Sequence, residues 1–161
     1  MAQDAHRGGG GDDGGRVVDP ERHIAYTLAR VAHVMDRMTD AALAGEGLSL
    51  RMFGALSHLS GHPGRSSAEL ARLLLVTPQS MGVLVRRLEA MTYVRRAEPA
   101  VKGFAVRLEI TPEGEAALAR AAELAIGAEG RGLRSLSEAE RTTLHALLRR
   151  LLTDLAGQDG C

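Results

Sequence analysis

Seven basic side chains, Arg72, Arg86, Arg87, Arg95, Arg96, Lys102 and Arg107, gather within one stretch of the chain, against two acids, Glu89 and Glu98. The formal net charge of the whole chain is +0, so this positive excess is local. Guanidinium and ammonium groups in such a cluster attract phosphate oxygens, and an arginine fork also matches the edge of guanine. Spacing narrows the chemistry. In the stretch opening at Thr77-Pro78, Met81, Leu84, Val85 and Leu88 share one side of a helix, while Gln79, Ser80, Val83, Arg86 and Arg87 lie off it. That outward set suits a nucleic-acid duplex. It offers an amide for adenine, a hydroxyl for a base edge or phosphate, a branched alkyl for a thymine methyl, and guanidinium groups for guanine or phosphate.

Other reactive residues carry less. His58 and His62 stand four apart, as a metal pair on a helix does, but Gly61 and Pro63 interrupt the helix and no third ligand is evident. A metal-responsive regulator is therefore an alternative without a ligand set, and no metal or cofactor is expected. The lone cysteine, Cys161, has no placed neighbour to activate it. No nucleophile elbow, phosphate-cradling glycine loop or paired carboxylates suggest catalysis, so an enzyme is not expected. No apolar run approaches the length of a membrane span, and a cytoplasmic setting is expected.

The elements that must position the outward set are legible from pattern. Of the 161 residues, 45 % are hydrophobic and only 2 % aromatic, so the core must be aliphatic, and helix is favoured. Residues 1–18 are glycine-rich and read as a disordered tail. Asp19-Pro20-Glu21 reads as the cap of a first helix, with Ile24, Leu28, Val31, Met35, Met38 and Ala42 in one stripe and Gly45 and Gly47 as its end. A second helix runs from about Ser49 to Leu59. Ser66-Ser67-Ala68-Glu69 is a capping-box pattern opening a short helix to about Leu74, and Thr77-Pro78 opens the next, to about Met91. Alternation over Val106–Ile110 signals a strand that can pair with Tyr93–Ala97 across a loop at Glu98–Phe104. Thr111-Pro112-Glu113 opens a fifth helix to about Ala128, and Ser137-Glu138-Ala139-Glu140 a sixth.

Two short helices joined by a tight turn and followed by a hairpin describe a winged helix-turn-helix. Glu69-Leu70-Ala71, Val76-Thr77-Pro78-Gln79-Ser80-Met81, Leu84-Val85-Arg86-Arg87-Leu88-Glu89, Val94-Arg95-Arg96 and Leu108-Glu109-Ile110-Thr111-Pro112-Glu113-Gly114 together resemble the core of the MarR family of bacterial regulators. The resemblance extends over about residues 20–156. It implies a mainly α fold with a small β-hairpin: a first arm helix at 19–48, a DNA-binding lobe at 49–111, C-terminal dimerisation helices at 112–156 and a flexible end at 157–161. It also implies a transcriptional regulator, expected to be a repressor, that binds double-stranded DNA at a near-palindromic operator as a homodimer.

The expected DNA-contacting set is Ser66, Ser67, Thr77, Pro78, Gln79, Ser80, Val83, Arg86, Arg87, Arg95, Arg96, Lys102 and Arg107. The family's wing usually carries Asp-x-Arg near its tip, where this chain has Lys102 and Phe104, so the wing departs from the pattern. A winged-helix protein–protein module with weakened DNA binding is the alternative. Six leucines, Leu144, Leu147, Leu148, Leu151, Leu152 and Leu155, crowd the last helix. Ile24, Leu28, Leu144, Leu148, Leu151 and Leu155 are the expected dimer contacts. The resemblance further implies a small anionic or aromatic effector between arm and lobe, near His33, Arg37, Met52, Leu56 and His58. Tyr26, Arg30, His33 and Arg37 share a helix face that suits an anion.

Overall fold

The computed structural model describes residues 19–97 and 106–156. Lys102 and Phe104 of the expected wing tip, the 1–18 tail and the 157–161 end lie outside the described residues. The elements are α1 (Ile24–Leu43), α2 (Leu50–Gly61), α3 (Ser67–Leu73), α4 (Pro78–Ala90), β1 (Val94–Arg96), β2 (Leu108–Ile110), α5 (Pro112–Gly132) and α6 (Glu138–Ala156). This is the expected mainly helical fold with one antiparallel hairpin, in register Val94↔Ile110, Arg95↔Glu109 and Arg96↔Leu108.

The starts of α2 to α6 are set by side-chain caps that satisfy otherwise orphaned amides, whereas α1 begins after His23 without one. Ser49 Oγ accepts from Met52 N at 3.3 Å, Thr77 Oγ1 from Ser80 N at 3.1 Å and Thr111 Oγ1 from Gly114 N at 3.0 Å. Both capping boxes form: Glu69 and Glu140 reach back to the backbone N–H of Ser66 and Ser137. The glycine of Thr111-Pro112-Glu113-Gly114 has a steric reason, because a methyl there would run into the Tyr93 carbonyl.

One aliphatic core unites α1 to α4 with the hairpin. Leu43, Met52, Leu56, Leu59, Leu70, Met81, Leu88 and Leu108 are fully buried, drawn from α1, α2, α3, α4 and β2. Each such side chain contributes about 1.5–3 kcal/mol by leaving water, so the orientation of α4 is fixed from beneath. The arm begins where α1 packs along α5. By contrast, α6 makes no extensive packing with any other element of its own chain, and its side chains from Thr142 to Leu155 are exposed.

Two boundaries and one pairing differ from expectation. Asp19 caps a single 3₁₀ turn, Pro20–Arg22, not the long helix; its carboxylate reaches Glu21 N, and His23 is extended before α1 begins. The fifth helix runs past Ala128 to Gly132, since Gly127 and Gly130 keep helical geometry within it. Residues 64–66 also join the hairpin: Gly64 N donates to Leu108 O, Leu108 N donates to Arg65 O, and Ser66 bridges Arg107. A single bridge merging into a helix cap carries no alternating pattern to detect.

Candidate nucleic-acid interface

Thr77 is the N-cap of α4. Its hydroxyl caps α4 and also donates to Ser80 Oγ at 2.9 Å, which orders the first turn. Met81, Val85 and Leu88 are buried and Leu84 is half-buried against the same core. The opposite side of α4 is open: Gln79, Ser80, Arg86 and Arg87 are exposed, and Val83 keeps 56 % of its surface. No part of the described chain covers this side. A surface of amide, hydroxyl, alkyl and guanidinium groups on a helix anchored from below is the arrangement a major groove accepts.

The remaining basic residues are less free than their count suggests. Arg95 pairs with Glu109 at 2.6 Å across the hairpin. Arg96 pairs with Glu89 at 2.7 Å, and that bond and charge raise its already high pKa. Arg107 donates to the Gly64 carbonyl at 2.8 Å, and Arg87 to the Gly47 carbonyl at 3.1 Å. Among the described residues, Arg72 and Arg86 enter no ion pair.

Ser66 is placed differently from the expected contact set. It is 7 % exposed, and its hydroxyl both donates to Glu69 Oε2 and accepts from Glu69 N. The hydrogen bonds from the Ser66 backbone and hydroxyl hold the Glu69 carboxyl below the usual range. Ser66 thus sets the start of α3, and Ser67, half-buried beside it, is the more accessible of the two. Pro78 fixes the first residue of α4 and is exposed.

A family model described as MarR family matches residues 46–103, a stretch that starts in the α1–α2 turn and takes in α2, α3, α4 and β1. The HTH-type transcriptional repressor Rv2887 of Mycobacterium tuberculosis is 36 % identical over 131 residues, covering 81 % of this chain and 94 % of that protein. The chain belongs to the MarR family. The transcriptional regulator PecS of Dickeya dadantii is 31 % identical over 131 residues, 80 % of this chain and 79 % of that one. The crystal structure of Rv2887 in complex with DNA superposes with a TM-score of 0.68 at 36 % identity, covering 80 % of this chain and 97 % of that one. Rv2887 has also been solved with salicylic acid, at the same TM-score and identity and covering 80 % and 96 % of the two chains. Apo MarR from E. coli, at 20 % identity and TM-score 0.70 over 81 % and 97 % of the chains, shares the fold.

Within this MarR fold the residues expected around an effector do not converge. His33 and Arg37 are exposed on α1, and His58 is half-buried on α2. Met52 and Leu56 are sealed in the lobe core, because their spacing on α2 turns them inward with Leu59. None of the five lines either groove of the arm. One groove, about 450 Å³, runs beside Tyr26, Val31, Met35 and Met38. The other, about 580 Å³, lies between α1, α5 and α6 and is lined by Leu28, Val31, Ile126, Leu133, Leu144 and Leu148 among others. Arg30, on the face read as anion-ready, lies over the Tyr26 ring and is held by Glu21 at 2.7 Å, which offsets its charge.

The arm of the MarR chain exposes much apolar surface. Ile24 is 82 % exposed and Leu155 58 %, and Leu28, Leu144, Leu148 and Leu151 lie between a third and a half. Val31, already part of the α1 stripe, lies on the same apolar surface, and Val34 and Ile126 extend it; Ile126 carried no sequence signal because it sits in an alanine-rich helix with a weak stripe. Among the described residues no group of three candidate metal ligands comes together. No single helix there is long and apolar enough to cross a membrane.

Proposed function

We propose that the protein is a homodimeric, sequence-specific double-stranded-DNA-binding transcriptional repressor of the MarR type, acting in the cytoplasm and not as an enzyme. The observation that carries the reading is the two-sidedness of α4. Met81, Val85 and Leu88 anchor it, while Gln79, Ser80, Val83 and Arg86 stand open along its other side. Gln79 and Arg86 are assigned to base edges, Ser80 and the start of α4 to phosphate, and Val83 to a thymine methyl. Arg72, Ser67 and Lys102 are assigned to the backbone, where contacts fix register without reading sequence. A similar repressor crystallised on DNA supports this assignment.

The dimer follows from the arm. The apolar faces of α1 and α6 are too extensive for a lone monomer in water. A second copy related by a two-fold axis would cover them and set the two α4 helices in successive major grooves, about 34 Å apart. An aromatic carboxylate is the proposed effector class, on the strength of the Rv2887 complexes with salicylic acid and p-aminosalicylic acid.

Selection of bound fragments from random genomic DNA, followed by footprinting, tests the function. A near-palindromic protected site is expected, with affinity falling steeply as salt rises because bound phosphates release counterions. Absent or salt-insensitive binding to duplex DNA would favour a protein-binding module instead.

A further inference from the structure

The turn between α1 and α2 is gripped from three helices. Its 3₁₀ segment, Ala44–Glu46, ends at Gly47, whose φ of 70° is the left-handed conformation. From α1, Asp40 Oδ1 accepts from Leu50 N at 2.7 Å. From α5, Arg120 Nε donates to Glu46 Oε2 at 2.9 Å. From α4, Arg87 Nη2 donates to the Gly47 carbonyl at 3.1 Å. Met91, just past α4, packs so close that a Cβ on Gly47 would stand 3.3 Å from its Cε.

We propose that Arg87 is a positioning residue and not a DNA contact: through the Gly47 carbonyl it ties the reading helix to a joint that the arm holds by Arg120 and Glu46. The proposal rests on the DNA-binding reading given above and changes what one of its arginines does. Arg86 and Arg87 are adjacent and equally basic, so charge alone does not separate them. Geometry does. Arg86 is exposed with no ion-pair partner among the described residues, whereas the Arg87 guanidinium reaches back to the chain's own backbone. An arm that shifts carries the turn with it, and the turn carries the C-terminal end of α4. The tilt of the helix in the groove is thereby linked to the arm without any contact between arm and DNA.

The test is a salt titration of operator binding by the full chain, with the active fraction fixed by stoichiometric titration. Arg87→Met is expected to weaken binding between about two- and thirtyfold, leaving the slope of log K against log salt as in the wild type. A direct phosphate contact would lower that slope by about 0.9, and either that result or an unchanged affinity overturns the proposal. Arg120→Met, outside both the helix-turn-helix and the hairpin, is expected to weaken binding with the same unchanged slope. Wild-type affinity in that variant would remove the arm from the linkage. Wild-type protein that binds no duplex would sink the DNA reading itself. Amide exchange without DNA still judges the grip in that case. Gly47 N and Leu48 N are bonded to Ala44 O and Leu43 O; both should exchange faster in Arg87→Met, and unchanged protection counts against the proposal.

Discussion

The guanidinium of Arg96 meets the carboxylate of Glu89 twice, Nε to Oε1 at 2.7 Å and Nη2 to Oε2 at 3.5 Å, and so ties the last turn of α4 to the first strand of the hairpin. With Arg95 on Glu109 and Arg107 on the Gly64 carbonyl, the root of the wing is braced by arginines that the sequence offers equally to DNA.

Arg96→Met should accordingly leave the salt slope of DNA binding close to wild type. Arg96 is exposed and Glu89 half-buried, so solvent still screens the pair and the loss of folding stability should stay below about 1 kcal/mol. Urea unfolding and a salt titration check the two halves. A slope reduced by about 0.9 would make Arg96 a phosphate contact.

Leu75 in the α3–α4 turn has φ of 52° and is 80 % exposed. A leucine in the left-handed region is strained by about 1–2 kcal/mol, a strain glycine escapes, and this side chain returns little burial. Leu75→Gly is expected to raise stability by about 1 kcal/mol despite the greater freedom of an unfolded glycine. Denaturant unfolding at constant slope measures it. A lower midpoint would mean that the exposed leucine has a partner in the assembled protein.

The helix-turn-helix was readable because its signals are local: Ser66-x-x-Glu69, Thr77-Pro78 and the spacing Met81, Val85, Leu88 each act within one or two turns. The family resemblance rests on these segments together with Val94–Arg96 and Leu108–Gly114. Two things were not readable. The bridge of residues 64–66 to the hairpin depends on pairing with Arg107 and Leu108, more than forty positions away, and leaves no periodicity. The fates of Arg87, Arg95, Arg96 and Arg107 depend on which acid or carbonyl the fold brings near, so a count of basic residues overstates the free charge. Ser66 shows the same limit, since a serine that caps a helix is indistinguishable in sequence from one facing phosphate.

Leu148 and Leu151 are exposed on a helix that its own chain barely supports. Leu148→Glu together with Leu151→Glu should convert a dimer into monomers, because carboxylates buried at the seam would be unpaired. Helix content should persist in α1 to α5. Sedimentation equilibrium reads the outcome, and an intact dimer would place the interface elsewhere.

His58 is held below its ordinary pKa of 6.5, first by burial, then by the charges of Arg65 and His62. The unfolded chain therefore takes up this proton at higher pH than the folded one. Stability from this group is fully present above the unfolded value and falls as pH drops through 6.5 toward the folded value. His58→Gln should flatten that part of the stability profile, measured as melting temperature against pH. An identical acid slope in the variant would assign the effect to other groups.

The most direct measurement is the affinity of Arg86→Ala for the selected operator and for operators altered one base pair at a time. If the open side of α4 reads bases, the variant should lose about 1–3 kcal/mol on the true site and discriminate less at one position per half-site. Wild-type affinity together with wild-type discrimination would contradict the assignment of that face to DNA.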